Sequence, residues 1–72
     1  MRVKVIEVKF KFFGRQEQTI LKDGEIDLKV MPIKGDNVFI GDVKYTVLQR
    51  DIRMSKNMDN QHITLFVERI IY

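Results

Sequence analysis

The sequence predicts an all-β fold, five or six short antiparallel strands forming a small barrel or a curled meander in one domain spanning residues 1–72. Three observations lead there. Apolar and polar side chains alternate with period two along much of the chain. Gly-Asp and Asp-Gly pairs interrupt it at 23–24, 35–36 and 41–42. Reversals recur about every ten residues, the spacing of small sandwiches and barrels.

Residues 32–50 show the pattern most clearly. Gly35-Asp36 leads into the first arm of a hairpin, Gly41-Asp42 joins it to the second, and both arms are rich in Val, Ile, Phe, Tyr and Thr. A two-residue connection suits the right-handed twist of paired strands when Gly41 takes a positive φ.

In chain order, Ile6, Val8, Phe10 and Phe12 alternate with Glu7, Lys9 and Lys11, which reads as a strand with one wet face. Val3 and Val5 fall in the opposite phase. A β-bulge near Val5-Ile6 would place Val3, Ile6, Val8, Phe10 and Phe12 inside and Arg2, Lys4, Glu7, Lys9 and Lys11 outside. The alternative is that the first residues are covered on both faces. Phe13-Gly14-Arg15 is the first reversal, and the polar stretch 16–21 suits a sheet edge. Asp23-Gly24 predicts a second turn. Ile26, Leu28 and Val30 then predict a third strand over 25–31, ended by Pro32, which cannot donate to a ladder. The hairpin supplies strands over 37–40 and 43–50, with Val43, Tyr45 and Val47 on one face. Residues 51–61 read as a longer loop. In the last strand, over 62–72, Ile63, Leu65 and Val67 face one way and His62, Thr64, Phe66 and Glu68 the other. A strand apolar on both faces predicts closure against the first strand or burial at an interface.

Composition narrows the function classes. A chain of 72 residues buries only about 60% of the surface its unfolded form exposes, so its stability is marginal. The absence of cysteine excludes disulfides, thiolate catalysis and cysteine zinc sites, and fits a reducing compartment. Residues 1–13 alternate apolar with charged groups, unlike a secretory leader, and no window has the 18 apolar residues of a membrane helix. A cytoplasmic protein with no membrane contact is expected. The net charge of +3 slightly favours polyanions.

The segment Pro32-Ile33-Lys34-Gly35-Asp36-Asn37-Val38-Phe39-Ile40, followed by Tyr45-Thr46-Val47, resembles the Gly-Asp-x-Val lead-in of Src-homology-3-like small barrels. It is also similar to short uncharacterised bacterial and phage proteins that carry Pro-x-x-Gly-Asp-x-Val before a Tyr-x-Val strand. The resemblance implies a fold and the setting of a phage or mobile-element accessory. It assigns no functional residue.

No constellation has the spacing of an active site, a metal centre or a cofactor pocket, so a non-enzymatic protein without cofactor is expected. His62 lies near Asp59, but a lone histidine at a loop-to-strand boundary reads as a surface residue, and Ser55 reads as solvated loop. Asp36 and Asp42 read as turn residues, with a cation between them the less favoured view. Two binding surfaces remain. Phe66, Ile70 and Tyr72 on the final strand predict a contact with a protein partner or a second copy, because so small a domain cannot internalise both faces of that strand. Alternatively Arg2, Lys4, Lys9 and Lys11 form a basic stripe that binds nucleic-acid phosphates, extended by Arg15 and Lys22, with Phe13, Phe39 and Phe66 stacking on bases. The plain reading of the stripe is lysines that guard a strand edge.

Overall fold

The computed structural model describes residues 2–25, 30–54 and 61–70. It is all-β: strands β1 (Arg2–Phe10), β2 (Gln16–Glu25), β3 (Asn37–Ile40), β4 (Val43–Met54) and β5 (Gln61–Arg69) form one sheet curled into a half-barrel. The order across the sheet is β2-β1-β5-β4-β3. Antiparallel pairing holds for three ladders, while β1 and β5 pair in parallel from Arg2↔His62 to Glu7↔Val67. The last strand does close against the first, and these two occupy the middle of the sheet. The polar β2 lies on one edge, as its composition suggests, and the short β3 on the other.

The core lies on one face. Val3 and Val5 of β1, Tyr45 and Val47 of β4, and Ile63, Leu65 and Val67 of β5 are buried together. Leu21, Met31, Val38, Ile40 and Val43 pack around them. Burying each such aliphatic side chain contributes about 1.5–3 kcal/mol.

The expected bulge occurs at Val5-Ile6, but its extra residue belongs to β2. Val5 pairs with Lys22 and Ile6 with Ile20, so Leu21 is the unpaired one. Because β1 is also held in unbroken register by β5, it keeps strict alternation through Glu7. An edge strand absorbs an irregularity more readily than a central one. Val5 therefore points into the core with Val3, and Glu7 is buried on that face. Glu7 is not on the outer face, and Phe10 and Phe12 are not inside: they are 58% and 91% exposed. Val8 is buried, though outside the core cluster.

The Asp23-Gly24 turn does not form. Both residues continue β2, opposite Lys4 and Val3, and Gly24 is not among the glycines with positive φ. Sustained pairing with β1 outweighs the local turn preference of Asp-Gly. Of the strand expected over 25–31, residues 26–29 lie outside the described residues, and Val30 and Met31 are not in a strand. β4 reaches Met54, shortening the loop expected over 51–61, of which 55–60 lie outside the described residues.

The hairpin of β3 and β4 has the anticipated form. Ile40 pairs with Val43 across Gly41-Asp42. Gly41 has φ 61° and Asp42 has no positive φ, the signature of a type II′ turn. Before it, the Asp36 carboxylate accepts a hydrogen bond from the Ile33 N–H at 3.0 Å, and Gly35 N–H donates to the Val47 carbonyl at 2.8 Å. In β4, Leu48 is a second unpaired residue, because Val47 faces Val67 while Gln49 faces Phe66.

Candidate functional site

The outer face of the sheet, opposite the core, is built from lateral rows set by register. One row runs Arg53, His62, Arg2 across β4, β5 and β1 and continues to Glu25 of β2 at the margin, and the next runs Asp51, Thr64, Lys4, Asp23. These side chains line an open recess of about 640 Å³. Arg2 Nε donates to Asp23 Oδ1 at 3.1 Å. That hydrogen bond holds the Asp23 carboxyl below its usual range, helped by the charges of Arg2, Lys4 and His62, and raises the Arg2 guanidinium. Gln49 Nε2 donates to Asp51 Oδ1 at 2.7 Å. Further along the face the row becomes apolar, with Phe66 beside Ile6 and Ile6 beside Ile20.

The second surface is an arm. The β1–β5 ladder ends at Glu7↔Val67, while β1 and β2 continue as a two-stranded ribbon to Phe10↔Gln16. A 3₁₀ turn over Phe12–Gly14 closes it, with Lys11 N–H donating to the Arg15 carbonyl at 2.8 Å. Phe13 adopts φ 66°, ψ 30°, a left-handed conformation that costs a residue with a β-carbon about 1–2 kcal/mol. Its side chain is fully exposed. Phe10, Phe12 and Phe13 thus project apolar surface at the end of the ribbon, with Lys9, Lys11 and Arg15 between and behind them. Lys11 pairs with Glu17, and this hydrogen bond and charge, with Lys9 adding, lower the Glu17 carboxyl below its usual value.

The anticipated stripe is therefore divided. Arg2 and Lys4 lie in the recess, whereas alternation puts Lys9 and Lys11 in the phase of Glu7, toward the arm. Phe66 and Ile70 are half-buried, Ile70 N–H donates to the Lys44 carbonyl at 3.0 Å, and Tyr72 lies outside the described residues. β5 has neighbours on both edges, so the final strand cannot extend a sheet by pairing with another chain. His62 is exposed, as expected, and Ser55 lies outside the described residues. Asp36 serves its turn through the Ile33 N–H.

Sequence reasoning missed the aromatic arm and Arg53. The arm had a signal: Phe12 and Phe13 sit on a reversal that Gly14 marks, and side chains at a hairpin turn have no facing layer to enter. Arg53 had none, because its alignment with His62 and Arg2 depends on the Leu48 bulge and on the parallel β1–β5 register.

No helix among the described residues is long and apolar enough to cross a membrane. Comparison with protein-family models, with curated proteins and with solved structures finds no match to this chain.

Proposed function

We propose that this protein is a non-catalytic interaction module that docks onto a partner protein through its aromatic arm. One observation carries the reading: Phe10, Phe12 and Phe13 are 58%, 91% and 101% exposed on a ribbon that extends past the central ladder, and Phe13 is held in a strained backbone conformation. Exposed phenylalanines in a group are unfavourable in water and mark contact surfaces. Aromatic side chains bring large apolar area with few rotatable bonds, the usual anchors of an interface. The apolar Phe66, Ile6 and Ile20 on the outer face extend the surface that a partner covers.

The cations around the arm select the partner's chemistry. Lys9, Lys11 and Arg15 outnumber the single Glu17, so the receiving surface is an apolar pocket with an acidic rim. The recess of this chain near Ile33 and Leu48 is rimmed by Lys34 and Arg50 and repels the arm of a second copy, which favours a different protein as partner.

Site-specific photo-crosslinking tests this. A crosslinking amino acid at Phe12 is expected to trap one discrete partner, while the same group at exposed Lys34 traps none, and Phe13→Ser is expected to abolish the adduct. Identical adduct patterns from positions 12 and 34 would remove the support for the arm. A sedimentation series with a dimer that Phe12→Ser disperses would replace the foreign partner by a second copy.

A further inference from the structure

We propose that the outer-face recess at the other end of β1 is a binding site for a phosphate group, centred on Arg53, His62 and Arg2 with Lys4 and Thr64 beside them. Register alone assembles it. Arg53 stands directly opposite His62, and Arg2 stands beside His62 on its other flank. Arg53 and Arg2 thus flank His62 in one row drawn from three adjacent strands, and the row ends on Glu25 of β2, opposite Arg2. The strands carrying Arg53 and Arg2 are two ladder spacings apart, about 10 Å. The Arg2 guanidinium is engaged by Asp23 on β2, on the flank away from His62, and Arg53 stands on the other side of His62, so an anion in the open recess would lie between them.

The acidic residues of the recess, Asp23 and Asp51, offset this charge only in part, two carboxylates against the three cations Arg2, Lys4 and Arg53. Asp23 is engaged by Arg2 through Nε alone, which leaves the Arg2 Nη donors available, and Asp51 is held by Gln49. Arg53 and Lys4 have no ion-pair partner among the described residues. The Thr64 hydroxyl, flanked by Asp51 and Lys4, adds a neutral donor at the same depth. A planar guanidinium forks onto phosphate oxygens in a bidentate way, an ammonium supplies a point charge, and a hydroxyl sets orientation. That donor set fits a phosphate ester or diester. The ligand is either a small phosphorylated molecule or the backbone of a single-stranded nucleic acid; the recess is open enough to admit both.

Two probes distinguish these sources: pyrophosphate, followed by amide chemical shifts, and a labelled oligothymidylate of about twelve nucleotides, followed by fluorescence anisotropy at about 50 mM salt, where phosphate contacts are strong. Saturable shifts at Lys4, Arg53, His62 and Thr64 are expected with either probe. Arg53→Glu is expected to weaken binding at least tenfold and Arg53→Gln several-fold, while Lys34→Glu, which changes net charge equally on another surface, changes it less than twofold. Unaltered amide spectra away from the substitutions establish that the variants are folded. Pyrophosphate alone binding at these residues supports a small phosphate ester, and the oligonucleotide alone supports a nucleic-acid backbone. Equal weakening by Arg53→Glu and Lys34→Glu, or saturation by neither probe, overturns the proposal.

Discussion

Replacing Glu7 by leucine is expected to stabilise the protein. The Glu7 carboxylate lies on the core face with its side chain 4% exposed, and its Oε2 has no hydrogen-bond partner. The nearest cation is Arg69 Nε at 3.6 Å, beyond hydrogen-bond length, on a side chain 46% exposed. At an effective dielectric constant near 20 the attraction at that distance is about 4–5 kcal/mol before solvent screens the half-exposed guanidinium. Desolvating a buried carboxylate costs several kcal/mol, so the pair roughly breaks even. Leucine is close to glutamate in volume, adds apolar contact beside Val67 and Val5, and leaves the half-exposed Arg69 with its place over the Tyr45 ring, 6.0 Å from the centroid. The expected gain is about 1–2 kcal/mol. In a domain of this size that raises the melting temperature by roughly 4–8 °C for each kcal/mol. It moves the urea midpoint upward by about 1 M for each kcal/mol, since m is near 1 kcal/mol/M for so small a chain. Arg69→Met leaves the buried carboxylate uncompensated and is expected to cost about 2 kcal/mol, less than a fully buried pair would lose. In the Glu7→Leu background the same Arg69 change should have little effect. A Glu7→Leu midpoint lower than wild type, or an Arg69→Met midpoint equal to it, would refute this account of the core.

Three further outcomes are expected. Gly41→Val should lower stability by on the order of 1 kcal/mol or more through its positive φ alone, because an added β-carbon there meets no atom within 4 Å; an unchanged denaturation midpoint would exclude the type II′ turn. Glu17 and Asp23 both have folded-state pKa values below their unfolded ones, so the unfolded chain takes up protons first on acidification. Their contribution is present above the ordinary carboxylate range and is lost as pH falls through the folded values; Glu17→Gln with Asp23→Asn should therefore flatten the urea midpoint below about pH 4, and a wild-type slope in that variant would show that other carboxylates set it. Phe13→Gly relieves the left-handed strain and should raise stability by up to about 1 kcal/mol while removing the partner adduct, whereas a destabilised Phe13→Gly would mean that the ring packs on something.

What could be read from the chain follows the range of the interactions involved. The Gly41-Asp42 hairpin and the reversal at Phe13-Gly14 are local, and local chemistry determined both. The core face of β5, Ile63, Leu65 and Val67, was visible as simple alternation. The phase of β1 was not visible, because Val3-Val5 and Ile6-Val8 are both apolar and only the parallel register with β5 decides which pair points inward. The same long-range pairing kept Asp23-Gly24 extended against its turn preference. It also brought Arg2 beside His62, residues 60 positions apart in the chain, while separating Arg2 and Lys4 from Lys9 and Lys11.

The single-layer sheet explains why the apolar groups outside the core point to function. A monomer of this mass typically exposes about 4,700 Å² by the surface-to-mass relation, and this chain exposes 5887 Å². Its radius of gyration of 13.0 Å likewise exceeds the roughly 11 Å expected of a compact domain of its length. One face of the sheet is closed by its own curl, yet Ile20 remains in water on the outer face and Phe10, Phe12 and Phe13 on the ribbon that runs out from it. A second layer would have buried them, and the described residues supply none. Strain at Phe13 lowers the stability of a domain that has little to spare, and among the described residues it benefits no contact. Under the proposed function, the energy lost there is recovered when the rings enter a partner's apolar pocket, and the contact would then complete the hydrophobic burial that the described residues leave open.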